Sequence, residues 1–260
     1  AGKKALNTAA YESAFHYFMS GLRLLESSKD SWQLQYQLTY DLHVFAAEAS
    51  YLCLKYDQME QLSEIILKNS KVLNDTIRVY EIKIKTLVAK HDLNGAVETG
   101  LKILRNMGVK FPKNPNPLHA IGALVKAKIR LLFRKDNIAE LGLLTDEKFL
   151  SAIRIISGIN SPAYWAKPDL LPLLILKVVN LSLKKGNSNY SPYNYAGLGL
   201  ILSSLGFFKF ADKIGLAAIR LVEILNAIVL KPRTYFVYYT FIKPWVSHIR
   251  ATLLPFADCY

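Results

Sequence analysis

The chain has 260 residues, of which 52% are hydrophobic and 20% charged, with a formal net charge of +13. So much apolar content supports a large core and excludes general disorder. Leu, Ala, Lys and Glu recur at three-to-four spacing while strand-like alternation is scarce, so the expected class is all-α. Cys53 and Cys259 lie far apart and offer neither a disulfide framework nor a CxxC metal pair, which fits a reducing, cytoplasmic setting. No apolar stretch is long enough to span a bilayer, and the start lacks a signal-peptide pattern. The start AGKKALN and the end FADCY read as cuts through a longer polypeptide.

In chain order, a first helix is expected over Ala5–Glu26. A second, capped by Asp30 or Ser31, runs through Trp32 and Tyr40 to about Leu54. Gln58 to Leu73 follows, its apolar stripe carried by Met59, Leu62, Ile66 and Leu73. Tyr80, Ile84, Leu87 and Val88 line the next helix, and HDLNGA turns the chain into a helix carrying Ala96, Gly100, Leu104 and Met107. Gly108 and Pro112 end it, because glycine accepts a left-handed cap and proline cannot continue the helix. FPKNPNP reads as a rigid linker to a basic helix over about Leu118–Arg134. Thr145 is the expected cap of a helix with Asp146 and Glu147 in its first turn. SPAYWAKP is expected to be an ordered aromatic loop. Leu170–Lys185 forms a helix ended by Gly186.

Tyr195–Leu225 then reads as two packed helices broken at Gly206. Gly199, Ala211 and Ala218 are placed for close helix contact, and Tyr195 and Phe208 fill gaps. Beyond Leu230, the aromatics Tyr235, Phe236, Tyr238, Tyr239 and Phe241 open a last helix that Pro244 bends or ends. Ala14, Phe18 and Gly21 repeat the spacing of Ala211, Gly215 and Ala218, and Ala96 holds the same place in a third helix. This spacing resembles the tetratricopeptide (TPR) pattern. The expected fold is a TPR-like α-solenoid, a right-handed superhelix of antiparallel helical hairpins with an irregular inserted helical segment. Its boundaries are 1–110 for degenerate hairpins, 111–168 for the linker and inserted helices, and 169–260 for further hairpins.

From Thr99 to Lys135 there are nine basic residues and no acidic one. Lys102, Arg105, Lys126, Arg130 and Arg134 make this a candidate basic patch for an acidic or phosphate-bearing surface, with a solvated helix face as the plainer reading. Few aromatics are interleaved, so a nucleic-acid partner is not expected. GAVETGLK from Gly95 imitates a phosphate-binding loop, but Leu101 stands where the lysine belongs and the segment is helical. The five histidines show no metal-ligand pairing. His91–Asp92 lies in a turn, Ser182 and Lys185 lack companion motifs, and no catalytic constellation or cofactor site is found. Asn180, on an apolar helix beside Lys177 and Lys184, has two readings: an amide tying a neighbouring helix through backbone hydrogen bonds, or a contact to a bound peptide.

Residues Thr145–Leu202 resemble the helical region of very large bacterial sensor proteins. These join a Ser/Thr-kinase-like domain, an AAA/STAND-type ATPase, a TPR-like region, and GAF and often histidine-kinase domains. The resemblance rests on Pro162, Ala163 and Tyr164, on Lys177 and Val179 to Lys184, and on Gly186, Asn187 and Ser188. It implies a non-catalytic interaction and relay scaffold whose parent carries the kinase and ATPase chemistry. Candidate partner contacts are Tyr164, Trp165, Lys177, Asn180, Lys184 and Asn187. The partners implied are neighbouring domains of the same polypeptide or a protein or peptide, with self-association through the C-terminal aromatic surface. The alternative is the ligand-sensing arm of a STAND ATPase-type transcription regulator, with a deep apolar pocket between Leu170–Lys185 and Tyr195–Phe208.

Overall fold

The computed structural model describes residues 1–26, 30–133 and 137–257; Arg134, Lys135 and Cys259 lie outside the described residues. Fourteen α-helices are present among the described residues, and no strand beyond an isolated bridge between Leu143 and Asn187. The chain forms two compact units, Ala1–Gly108 and Val109–Tyr260.

The first unit contains α1 (Gly2–Asn7), α2 (Tyr11–Glu26), α3 (Ser31–Leu34), α4 (Tyr36–Leu52), α5 (Tyr56–Asn69), α6 (Leu73–Ala89) and α7 (Leu93–Asn106). Its core gathers Phe15, Phe18, Val44, Met59, Ile66 and Val79. The single helix expected over Ala5–Glu26 is broken at Thr8–Ala10. There the Thr8 hydroxyl donates to the carbonyls of Lys4 and Ala5, at 3.1 and 3.2 Å, competing for helical acceptors. Asp30 precedes only the four-residue α3 and makes no side-chain cap, so the longer helix starts at Tyr36.

One turn recurs throughout. Ala9, Leu54, His91, Gly206 and Asn226 all have positive φ, between 49° and 82°. Each N–H bonds to the carbonyl three residues back, and the next N–H to the one five further back from itself. At Leu54–Lys55 these bonds reach Tyr51 and Ser50, at 3.1 and 2.8 Å. This is the Schellman closure of a helix end. After four of these turns a new helix begins two residues later, and the fifth residue past the turn is Ala14, Met59, Ala96 or Ala211. All four are at most 2% exposed. A small or flexible side chain at that register lets the second helix of each hairpin lie close to the first. The pairs α1–α2, α4–α5 and α6–α7 pack in this way.

In the first unit α4 is tied to α6 by tyrosines. Tyr40 is buried and donates its hydroxyl to the Asp75 carbonyl at 2.8 Å, while the Tyr36 hydroxyl bonds the Asp75 carboxylate. Burial foremost, with the Asp75 carboxylate adding and Arg78 opposing, pushes the Tyr40 phenol from 10.0 up to about 12. A raised folded-state value means that this stabilisation is complete below pH 10 and lost as pH climbs through 12. Urea titrations at stepped pH are expected to show the wild type losing on the order of 2 kcal/mol more than Tyr40→Phe between pH 10 and 12. Equal losses would mean that Tyr40 titrates normally.

The second unit contains α8 (Pro117–Leu132), α9 (Glu147–Ala166), α10 (Leu171–Lys185), α11 (Ser191–Ser204), α12 (Phe208–Ile224), α13 (Lys231–Phe241) and α14 (Leu253–Ala257). Short 3-10 turns at Ile138–Glu140, Pro168–Leu170, Ile228–Leu230, Lys243–Trp245 and Ile249–Thr252 join them. Helices α11 and α12 form the expected hairpin, and a methyl on Gly199 would sit 3.2 Å from the Ala211 carbonyl oxygen. Asp146, not Thr145, occupies the N-cap of α9, and its side chain makes no cap bond. The aromatic loop expected at SPAYWAKP is instead the end of α9, which runs through Pro162 to Ala166. Proline removes one helical hydrogen bond, but Pro162 and Ala163 are buried, and that packing carries the helix past the break.

Candidate functional site: an apolar cleft with a basic rim

Helix α8 is set by local sequence at its start. Asn116 accepts from the His119 N–H at 3.1 Å, and Pro117 occupies the first turn, where its missing N–H costs nothing. The helix then carries two apolar faces. Ala123, Ala127 and Arg130 lie on the face against α10, with Ala127 fully buried. Leu118, Ile121, Val125, Ile129 and Leu132 form a second stripe that is 47 to 75% exposed.

Beside that stripe lies a cleft between three helices. Leu124, Val125, Lys128 and Leu131 of α8 form one wall, Leu198 and Leu202 of α11 the floor, and Phe207 and Phe210 the far side, around about 210 Å³. The cleft opens past Leu131 and Phe210 into a wider hollow of about 660 Å³ along Ile214, Leu216 and Ala217 of α12. Among the described residues, Lys128, Lys213 and Arg220 are the charged residues lining the two hollows, and no carboxylate lines either. The Lys128 ammonium stands 5.8 Å from the centre of the Phe207 ring, within cation–π range. Phe207 itself is 53% exposed.

The residues singled out from sequence fall in several places. Arg130 and Asn180 meet each other. The Arg130 guanidinium donates to the Asn180 carbonyl at 2.6 Å and to its Oδ1 at 2.9 Å, while the Asn180 amide donates to the carbonyls of Ala123 and Leu176 at 3.0 and 2.9 Å. The asparagine thus ties α10 to α8, the first of its two readings. Asn187 is fully buried and donates to the Ile138 carbonyl at 2.7 Å. Lys177 is half-buried, and burial together with Lys126 pushes its ammonium below the usual lysine range. Lys184 is exposed at the end of α10. Tyr164 and Trp165 are exposed on the last turn of α9, their rings edge to face at 5.0 Å. Lys102 and Arg105 are exposed on α7 of the first unit, and Lys126 is exposed on α8 of the second. Of the C-terminal aromatics, Tyr235 and Tyr238 are buried, whereas Phe236 and Phe241 are exposed.

The cleft residues Val125, Phe207, Phe210, Lys213 and Arg220 were not among those singled out. The available signal was the second apolar stripe of α8, at three-to-four spacing on a helix whose other face is also apolar.

No helix among the described residues is long and apolar enough to cross a membrane. No known protein family and no solved structure matches the chain. Among curated proteins it is similar to "Hybrid signal transduction histidine kinase G" of Dictyostelium discoideum, 20% identical over 233 residues. That match covers 80% of this chain and 7% of the other protein, so the chain spans a small part of its relative's length. A signal-transduction context is what this similarity supports.

Proposed function

We propose that the chain is a protein-interaction and signal-relay scaffold within a large multidomain signalling kinase with an ATPase domain, acting in the cytoplasm without catalysis or cofactor of its own. Its architecture in this reading is a TPR-like α-solenoid. The carrying observation is the open cleft of α8, α11 and α12, which displays apolar side chains with a rim of lysine and arginine. The repeated Schellman hairpin supports the architecture, since stacked hairpins of one register build extended binding surfaces. Similarity to a segment of a histidine kinase supports the context.

The test is light scattering of the chain alone and mixed with the polypeptide segments encoded on either side of it in its parent. Complex formation is expected. A chain that stays monomeric and binds neither segment, nor any peptide, would overturn the reading.

The ligand-sensing alternative draws on the 210 Å³ cavity, whose lining is apolar apart from Lys128. Between α10 and α11, where a pocket would best suit that reading, the helices meet directly. A methyl on Gly197 would sit 3.0 Å from the Ile175 side chain, and the hydroxyls of Ser182 and Ser191 are 2.7 Å apart.

A further inference from the structure

We infer that the cleft between α8, α11 and α12 docks an acidic amphipathic helix from a partner protein, an inference that rests on the interaction reading above and names the partner's chemistry. Shape is the first argument. An apolar cavity of roughly 150 Å³ accommodates a benzene ring, so the 210 Å³ hollow takes one aromatic or leucine side chain as an anchor. Because Leu131 and Phe210 line both hollows, a second anchor can follow along α12 without leaving the groove. Apolar anchors spaced along one face are how a helix occupies a groove.

Charge decides which helix. Lys128 stands on one wall, Lys213 and Arg220 line the other hollow, and Lys209 is exposed on α12. Among the described residues the carboxylates nearby are few, and Glu223, three residues beyond Arg220 on α12, is engaged by the Tyr235 hydroxyl at 3.1 Å and by Lys231 at 3.3 Å. Asp212 of α12 is held by the Tyr238 hydroxyl at 2.7 Å and by Lys243 at 3.6 Å, and Glu140 is exposed two residues after the lining Ile138. Glutamates or aspartates flanking the anchors would meet this rim, which speeds encounter and rejects basic helices. A second copy of the chain is a poor occupant, because it brings the same net charge of +13. A flat anionic membrane would reach the outer stripe of α8 but not the recessed floor formed by Leu198 and Leu202.

The experiment is fluorescence anisotropy with a labelled helical peptide carrying Leu and Phe at heptad a and d positions and Glu elsewhere. Its counterpart has Lys in place of every Glu. The Glu peptide is expected to bind saturably and more weakly at raised salt, and the Lys peptide not to bind. Phe207→Asp, and separately the pair Lys213→Glu with Arg220→Glu, are expected to weaken binding at least about tenfold, as for a central anchor and its charge partners. All three positions are exposed, so the circular dichroism spectrum and melting temperature should stay unchanged. Equal binding of both peptides, or none, overturns the proposal. So does capture on phosphatidylserine-containing vesicles without peptide binding, or a dimer that Phe207→Asp disperses. If the peptide fails while flanking segments of the parent still bind the Phe207→Asp variant, this inference falls and the scaffold reading stands. If both bindings are absent, both fall.

Discussion

Gly186→Ala is expected to unfold the second unit at markedly lower denaturant, by about 3–5 kcal/mol. Gly186 ends α10 at φ 112° and ψ 168°, a conformation open to almost no residue but glycine. Strain of this kind costs about 1–3 kcal/mol for a residue with a side chain. The added methyl would also sit 2.4 Å from the Gly142 carbonyl oxygen and 2.9 Å from the Leu143 carbonyl carbon. These are backbone atoms, and they cannot swing aside as a side chain does. They are fixed by a clip in which the Asn187 N–H donates to the Gly142 carbonyl and the Leu144 N–H to the Asn187 carbonyl, both at 2.7 Å. The Asn187 side chain closes the clip by donating to Ile138 and accepting from the Tyr195 hydroxyl at 3.2 Å. Opening it strands several buried polar groups at once, each costing more than the bond it made. Hydrogen exchange followed by mass spectrometry separates the two units. Protection should fall over residues 137–204 and hold over the first unit. Gly122→Ala is the control, since a methyl there meets no atom within 4 Å and alanine favours a helix interior. If Gly186→Ala is as mild as Gly122→Ala, the clip does not hold the unit.

The clip also shows where sequence stops being informative. Gly186, after two lysines, is readable as a helix end, because lysine near a C-terminus and glycine beyond it follow from local chemistry. That its neighbour Asn187 pins the segment around Ile138 is not readable, since the two are 49 residues apart. Asn180 was legible as a polar side chain that needed partners, yet its partner Arg130 looked like one charge in a basic run. Turns divide in the same manner. Gly206 announces itself, whereas the turn expected at HDLNGA centres on His91, with Asn94 and Gly95 already inside α7. Ala9 and Leu54 adopt the same left-handed turn without any sequence mark, because packing on both flanks of the hairpin imposes it against their own preference. Pro162 misled in the opposite direction: a strong local breaker lies inside a helix that burial sustains. The cleft escaped because its walls come from α8 and α12, and nothing in either stretch names the other. Even so, the all-helical class and the spacing shared by Ala14, Ala96 and Ala211 came from the periodic pattern, the most robust signal a sequence carries.

Tyr238→Ala should be about as damaging as Gly186→Ala, costing about 3–5 kcal/mol, and its partner Gly215 makes the effect separable from simple loss of bulk. The Tyr238 ring is fully buried, and a methyl on Gly215 would fall 2.3 Å from its Cδ2 atom. Glycine in the middle of α12 is therefore the space into which α13 sets its aromatic. Gly215→Ala alone is expected to destabilise by about 1–3 kcal/mol through overpacking, although alanine is the better helix former. With the ring gone the clash is gone. In a Tyr238→Ala background the same Gly215→Ala change should cost nothing or gain up to about 1 kcal/mol. Such a reversal of sign is a coupling that two independent defects cannot produce. Tyr238→Phe isolates the hydroxyl, which donates to the Asp212 carboxylate at 2.7 Å; burial and that carboxylate hold the phenol well above the ordinary tyrosine range. Because Lys243 stays 3.6 Å from the carboxylate, this change should cost only about 1–2 kcal/mol. Urea denaturation of the four variants measures all these terms. Strictly additive costs for Gly215→Ala and Tyr238→Ala would mean that the ring and the glycine do not share one space. The close approach of α12 and α13 would then need another cause.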